Sequence, residues 1–201
     1  MIKINFLALI LIFICAFSQA NSIDATIITC NDCHGAKGVS SDSDIPSIAG
    51  FSQASLLDMF AAYVDESRIA HKSNYRHGDI QRPATDMFSI AKNLSKAEVE
   101  AIANYYAQQK FVPAKQVFDT ELAKKGSKLH EQRCTKCHED GGSNADDDAG
   151  ILAGQWQPYL AQTIREYRSG SRKTGKNMKK LLDNLSEPEI AALIHFYASQ
   201  Q

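Results

Sequence analysis

The chain has 201 residues, 44% of them hydrophobic, and its 22 basic and 23 acidic side chains give a formal charge of −1. The balanced charge argues against binding to nucleic acid by phosphate neutralisation, and the ordinary hydrophobic content argues against wholesale disorder. The five cysteines are an odd number, which a closed set of disulfides cannot use up. The role of these cysteines is therefore the first question that the sequence raises.

The first 20 residues predict a cleaved secretory signal peptide. Lys3 precedes an apolar run from Ile4 to Phe17, and small residues lead to an expected cut after Ala20. A membrane anchor is the alternative, but about 14 apolar residues fall short of the roughly 20 that a spanning helix needs. Cys15 would leave with this peptide, so we expect a soluble periplasmic protein of residues 21–201.

The remaining four cysteines form two copies of the pattern C-x-x-C-H, which is the attachment signature of haem c. Two thiols on one helical turn reach the two vinyl groups of the porphyrin, and the histidine that follows faces the iron. A redox dithiol, a shared zinc site and disulfides are alternatives, but none of them requires the repeated histidine. We therefore predict two covalently bound haem c groups, with thioethers at Cys30, Cys33, Cys134 and Cys137 and proximal iron ligands at His34 and His138.

The two motifs belong to an internal duplication. Ile48-Ala49-Gly50 matches Leu152-Ala153-Gly154 at an offset of 104 residues, whereas Met87 matches Met178 at an offset of 91. The first copy thus has 13 extra residues between Tyr63 and Met87. Two copies of one unit predict two similar domains. We expect a first domain at residues 21–110, a linker at 111–119 and a second domain at 120–201.

Both copies are predicted to be helical. Ser95 and Ser186 are each followed three residues later by glutamate, the pattern of a capping box at a helix start. Apolar residues then recur at helical spacing, as they do in a middle helix that includes Leu56 and its counterpart Leu160. A further helix is expected from Glu121 to Arg133. No convincing alternating strand pattern is present, so the predicted fold class is all-α.

Each iron needs a sixth ligand, and the repeat suggests which residue supplies it. Met87 and Met178 occupy equivalent positions shortly before the last helix of each copy, so we predict them as the distal axial ligands. Met59 falls within an apolar helical stripe and is better interpreted as a core residue. His71 and His77 lie in the insertion and could replace Met87, but neither has a counterpart in the second copy. We therefore interpret both histidines as solvated loop residues.

The residues that support each proximal histidine differ between the copies. A backbone carbonyl at Pro46 could accept the imidazole N–H of His34 and fix its tautomer, although Pro46 could also simply shape a turn. Gly150 stands at the equivalent place in the second copy, where a glycine would hold the same carbonyl less firmly. His130 and His195 lie in helical patterns and are interpreted as structural or surface groups.

A basic cluster flanks Met178. It could steer an acidic redox partner to the second haem, and a solvated face is an equally good interpretation. The cluster consists of Arg165, Arg168, Arg172, Lys173, Lys176, Lys179 and Lys180.

With these motifs in place, the chain resembles two-haem class I cytochromes c and, more specifically, the cytochrome subunits of flavocytochrome c sulfide dehydrogenases. The resemblance is sharpest in the second half. It implies tandem class I cytochrome c domains with proximal ligands at His34 and His138 and distal ligands at Met87 and Met178. It also implies an FAD-containing flavoprotein partner that oxidises sulfide. The matching segments are 113–116, 118–120, 128–130, 151–156, 158–160 and 196–201, with Arg82 to Thr85 before Met87.

Three functions follow from these observations. The first is a non-catalytic electron-transfer subunit of a sulfide-oxidising flavoenzyme, whose substrate chemistry would take place on the partner chain. The second is a free-standing di-haem carrier that donates to a terminal oxidase. The third is a di-haem peroxidase, which would need an open iron and is disfavoured by the repeated methionines. The insertion around His71 to Gln81 departs from the flavocytochrome pattern and leaves the partner contact open.

Overall fold

A computed structural model describes residues 23–201, so the predicted signal peptide and Cys15 lie outside the described residues. These residues form helices joined by loops, with two isolated bridges and no strand, which confirms the all-α prediction for this part of the chain. No helix in this range is long and apolar enough to cross a membrane. The helices are α1 (23–34), α2 (Gln53–Val64), α3 (Met87–Lys92), α4 (Lys96–Ala107), α5 (Thr120–Arg133), α6 (Gln157–Ser169), α7 (Lys176–Asp183) and α8 (Glu187–Ala198).

The helix starts follow the local rules read from the sequence. At the start of α4, the Ser95 hydroxyl accepts a hydrogen bond from the Glu98 backbone N–H at 3.3 Å. The Glu98 carboxylate in turn accepts from the Ser95 backbone N–H at 2.8 Å, which completes the predicted capping box. At the start of α5, the Asp119 side chain accepts from the Leu122 N–H at 2.9 Å and satisfies a free donor of the first turn.

The buried side chains form two hydrophobic clusters, one centred on each half of the chain, and the first also includes Ile151 of the second half. The first half packs α2 and α4 around Leu56, Ile102 and Tyr106. The second half packs α5 across α8, where a side chain at Gly126 would meet the Ala192 carbonyl oxygen at 2.0 Å. Only glycine allows the two helices to cross this closely. The domain boundaries expected from the sequence, at residues 110 and 120, stay a prediction. The second cluster contains Leu129, Leu160, Leu182, Leu185, Ile190, Leu193, Phe196 and Tyr197.

The duplication is visible in the backbone hydrogen bonds. The Gly38 carbonyl accepts from the N–H groups of Ile48 and Ala49, and the Gly142 carbonyl accepts from Leu152 and Ala153 in the same way. These bonds tie the loop after each C-x-x-C-H motif to the repeated segment that follows it. Gly38 has a φ of +78°, and a Cβ there would lie 2.7 Å from the Tyr106 ring, so both conformation and space require glycine.

The two halves meet at a seam with a local pseudo-two-fold arrangement. The Ile69 N–H donates to the Ser171 carbonyl at 3.1 Å, and the Lys173 N–H donates to the Ser67 carbonyl at 2.7 Å. Because both pairs are related by the 104-residue offset, each half makes the same contact with the other. Gln155, which is fully buried, adds two hydrogen bonds to the Ser47 backbone, at 3.1 and 2.7 Å.

Candidate haem-binding sites

The first C-x-x-C-H motif opens into a large cavity. Cys30, Cys33 and His34 lie on the last turn of α1, and all three line a cavity with an empty volume of about 1170 Å³, including its opening to solvent. Met87 lines the same cavity. The structure therefore brings the four residues predicted to hold the first haem to one space. Apolar side chains complete the walls, among them Ile48, Leu56, Phe60, Ile90 and Ile102.

The proximal histidine of this site is held in one tautomer. The Nδ1 of His34 lies 2.9 Å from the Pro46 carbonyl oxygen. Because a carbonyl can only accept, Nδ1 carries the hydrogen and leaves the Nε2 lone pair free for a metal. Burial lowers the pKa of His34, although the Pro46 hydrogen bond acts in the opposite direction. The ring is thus kept neutral, which is the form that binds iron.

The thiols of this site are unsuited to dithiol redox chemistry. Burial raises the pKa of the Cys30 thiol to about 11, despite the hydrogen bond with Tyr106 that acts to lower it. Burial also raises the pKa of Cys33. A reactive dithiol needs a thiolate, and therefore a depressed pKa. An apolar cavity beside the thiols instead fits a porphyrin edge.

The insertion folds over the first motif. The backbone N–H groups of Arg76 and His77 donate to the Asp32 carbonyl at 2.8 and 2.9 Å. The Asp32 carboxylate forms an ion pair with Arg82, whose guanidinium stacks on the Tyr75 ring 3.6 Å from its centroid. Asp32, the second of the two intervening residues of C-x-x-C, is consequently buried. The insertion therefore packs over Asp32, between the two cysteines of the first motif.

The second motif is more open. Cys134 follows α5 and is half-buried, whereas Cys137 is exposed and His138 is buried. Met178 lies in the first turn of α7 and packs, together with Cys134, against the second hydrophobic cluster. The second half therefore repeats the two cysteines, the histidine and the methionine of the first site, without the covering insertion.

The predicted carbonyl support differs at this second histidine. Among the residues that the structure describes, no partner reaches the buried Nδ1 of His138. Gly150, the counterpart of Pro46, has a φ of +79°, and a Cβ there would lie 3.0 Å from the Phe51 ring and 3.3 Å from the methyl of Met59. Packing at the seam therefore requires glycine at position 150. The imidazole of His138 is less restrained than that of His34.

The remaining histidines divide into buried and exposed groups. His77 has an exposed side chain, as expected. His71 is also exposed, as expected, and in addition it lines the first cavity, with its Nε2 2.8 Å from the buried Glu166 carboxylate. His130 is buried, with Nδ1 3.0 Å from the Tyr197 hydroxyl, and His195 Nδ1 accepts from the Asp119 N–H.

The basic cluster is smaller than its sequence suggests. Arg172 is buried, which corrects its interpretation as part of a docking surface. Lys179 pairs with Asp183 at 2.5 Å, and Arg168 pairs with Glu187 at 2.5 Å. Four cations remain exposed without an ion pair to any residue of the described range: Arg165, Lys173, Lys176 and Lys180.

Sequence reasoning missed the residues at the seam end of the first cavity. Arg68 lines this cavity, as do Tyr159, Thr163 and Glu166 of the second half. The internal repeat could have identified this arginine, because Ser67-Arg68 in the first copy recurs as Ser171-Arg172 in the second, at the 104-residue offset. Within 23–201, no group of three or more His, Cys, Asp or Glu side chains is placed to form a metal site.

Comparison with known proteins agrees with this geometry. Residues 121–196 match the family model for cytochrome c oxidase, cbb3-type, subunit III. Cytochrome c4 of Pseudomonas aeruginosa is 29% identical over 89% of this chain and 87% of its own length. The thiosulfate dehydrogenase electron acceptor of Stutzerimonas stutzeri is 27% identical over 86% of this chain and 79% of its own length.

Solved structures and a shorter relative complete the assignment. The crystal structure of reduced cytochrome c4 from Pseudomonas stutzeri superposes with a TM-score of 0.71 at 26% identity, covering 90% of this chain and 98% of that one. Cytochrome c-554(548) of Halomonas halodenitrificans is 34% identical over 34% of this chain and 84% of its own length. The chain therefore belongs to the cytochrome c family, as an electron-transfer protein of two tandem cytochrome c domains with two covalently bound haem c groups.

Proposed function

We propose that this chain is a periplasmic, free-standing di-haem electron carrier in which both irons have histidine and methionine axial ligands. The first haem is linked to Cys30 and Cys33 and the second to Cys134 and Cys137. The axial pairs are His34 with Met87 and His138 with Met178. The observation that carries this assignment is that Cys30, Cys33, His34 and Met87 line one cavity together.

The side chains of the first site define its chemistry. Haem, when bound, supplies a one-electron iron couple. The Pro46 carbonyl holds the His34 ring, and a thioether at Met87 favours a high reduction potential and closes the iron to exogenous ligands. His71 also lines the cavity, but its Nε2 is already engaged by Glu166, which leaves Met87 as the better ligand. This arrangement suits electron transfer rather than peroxide activation.

The names of the relatives support a separate carrier. Relatives called cytochrome c4 and thiosulfate dehydrogenase electron acceptor match most of the chain, which favours a protein that receives electrons from a separate dehydrogenase. The second candidate is the haem subunit of a flavocytochrome c sulfide dehydrogenase with an FAD-containing partner. The sequence resemblance across the second half favours it, for example at Ile151 to Trp156. Export to the periplasm rests on the signal-like first 20 residues.

Native purification separates the two candidates. We expect the periplasmic fraction to yield a di-haem protein without flavin, and we expect a purified thiosulfate-oxidising enzyme to reduce both haems. A flavin-containing chain that copurifies in equal amount, with sulfide-dependent haem reduction, would establish the flavocytochrome instead. The axial assignment is tested on the same sample, because a methionine-to-iron charge-transfer band from both haems and no carbon monoxide binding after reduction are expected.

A further inference from the structure

The peptide unit between Pro46 and Ser47 is hydrogen-bonded at both of its ends. Its carbonyl oxygen, which belongs to Pro46, accepts from Nδ1 of His34 at 2.9 Å. Its N–H, which belongs to Ser47, donates to Oε1 of Gln155 at 3.1 Å. Gln155 lies in the second domain, 108 residues after Ser47. A continuous line of hydrogen bonds therefore runs from the second domain, through one peptide unit, to the proximal histidine of the first haem.

The side chain of Gln155 is fixed in the orientation that this line of bonds requires. Its Nε2 donates to the Ser47 carbonyl at 2.7 Å, so the amide binds both backbone groups of one residue. Turning the amide over would place its NH₂ group against the Ser47 N–H and its oxygen against the Ser47 carbonyl. Gln155 and Ser47 are 0% and 2% exposed, and a buried amide without these partners would be costly. Because both residues are buried, solvent does not replace either bond.

The segments on both sides of this contact are anchored within their own domains. Next to Gln155, the Gly154 N–H donates to the Tyr197 carbonyl at 2.8 Å. On the facing side, the Ser47 hydroxyl accepts from the Ser40 N–H at 3.1 Å. A substitution of Gln155 should therefore alter the contact between the domains rather than the fold of either one.

The equivalent contact in the other direction has no such hydrogen bond. Phe51 is the counterpart of Gln155 at the 104-residue offset, and Gly150 is the counterpart of Pro46. The Phe51 ring packs against Gly150, 3.0 Å from the point that a Cβ would occupy there. A phenyl ring offers a peptide no carbonyl oxygen or N–H, and Nδ1 of His138 has no partner among residues 23–201. The seam thus brings a hydrogen-bonding side chain to the loop of one proximal histidine and an apolar ring to the other.

We propose that Gln155 of the second domain is a positioning residue for the first haem, on which it acts through the Pro46–Ser47 peptide and His34. The proposal rests on the di-haem assignment above. A peptide whose N–H donates a hydrogen bond is a stronger acceptor at its carbonyl, because the two bonds polarise one another. His34 is then a more basic ligand, which favours oxidised iron. The docked second domain thereby lowers the potential of the first haem.

The test compares variants of the full-length, haem-loaded protein by spectroelectrochemical titration. Gln155→Met keeps the length of the side chain but removes both hydrogen bonds. It should raise the reduction equilibrium constant of the first haem about threefold, or about 28 mV at 59 mV per tenfold for one electron. Gln155→Glu keeps an acceptor for the Ser47 N–H, so this constant should stay at or below that of wild type.

A matched control removes a different bond of the same seam. Trp156 Nε1 donates to the Ser40 carbonyl at 3.1 Å, and Trp156→Phe, which loses this bond, should leave both potentials unchanged. A Met178→Ala background, which displaces the potential of the second haem, assigns the two haems.

Proton NMR of the reduced protein reports on the hydrogen bond itself. Exchange of the His34 Nδ1–H with solvent should be severalfold faster in Gln155→Met than in wild type or Trp156→Phe, because the carbonyl that holds it is no longer fixed. An unchanged exchange rate or an unchanged first potential in Gln155→Met, or an equal shift of both haems, would overturn the proposal.

Two further outcomes keep the test decisive. If Gln155→Met does not bind two haems, a first-haem potential above that of wild type in Gln155→Glu overturns the proposal equally. Failure of the di-haem assignment is distinguishable, because wild type would then lack two haems or the methionine charge-transfer band.

Discussion

The two domains contain the same C-x-x-C-H motif in different surroundings. In the first domain the insertion binds Asp32 through two backbone hydrogen bonds and an ion pair, and the Pro46 carbonyl holds His34. In the second domain Cys137 is exposed, and His138 Nδ1 has no partner among residues 23–201. The motif therefore determines only where a haem is attached. Neighbouring segments determine how much of the motif is covered and how firmly its histidine is held.

This difference suggests that the two domains have different roles in electron transfer. A covered haem exchanges electrons less readily with an external protein, so the open second domain is the better candidate for contact with a partner. The four exposed cations, Arg165, Lys173, Lys176 and Lys180, belong to that domain. Substitutions in either domain can test this contrast, beginning with the change that should alter a site most.

Removing each predicted distal ligand should have the largest effect and should be symmetric. Met87→Ala and Met178→Ala are each expected to abolish about half of the methionine charge-transfer band and to open one iron to carbon monoxide, because we propose one such ligand in each domain. The matched control is Met59→Leu, which alters a methionine in the first hydrophobic cluster and should keep the full band. A full band in Met87→Ala would show that another group, such as His71, is the ligand.

Releasing the insertion should alter only the first domain. Asp32→Asn removes the charge that pairs with Arg82, so segment 71–81 should be cut severalfold faster by a nonspecific protease. Lys136 occupies the position equivalent to Asp32 and is exposed, so Lys136→Gln should leave the cleavage pattern unchanged. Equal cleavage rates in Asp32→Asn and wild type would mean that the backbone bonds alone hold the insertion.

Loosening the proximal hydrogen bond should have a smaller effect. Pro46→Gly gives the first domain the residue of the second, and we expect about 1 kcal/mol less stability because the unfolded chain gains freedom. A weaker hydrogen bond to the carbonyl of residue 46 makes His34 a poorer donor to oxidised iron, so the potential of the first haem should rise. Thermal unfolding and redox titration measure the two effects. A fall in potential would contradict the assigned role of this carbonyl.

Neutralising the exposed cations should have the smallest effect. Lys176→Gln combined with Lys180→Gln should slow electron transfer with an acidic partner about threefold at low salt, through slower association, and the difference should vanish at high salt. Changing Lys96 and Lys124, two exposed lysines elsewhere that form ion pairs with neighbouring glutamates, provides the control. A salt-independent loss would indicate a structural defect rather than steering.

Local patterns predicted the helices well, and contacts between the domains explain what was missed. The helix from Glu121 to Arg133 and the capping box at Ser95 depend on neighbouring residues, so the sequence alone was sufficient for both. The burial of Arg172 depends on the pseudo-two-fold seam, which no local charge pattern reveals. The haem ligands were predicted from the repeat and remain predictions. The fold gathers the first set around one cavity, as that prediction requires.

The paired backbone bonds of the seam have a further consequence for the origin of the molecule. An interface in which each half offers the same residues to the other is the isologous contact of a symmetric homodimer. Fusing two such subunits keeps them at a high effective concentration. Fusion also allows the sequences of the two copies to diverge, since a mutation in one copy no longer occurs in the other. The insertion that covers the first motif alone is the kind of asymmetry that a homodimer of one gene product cannot acquire.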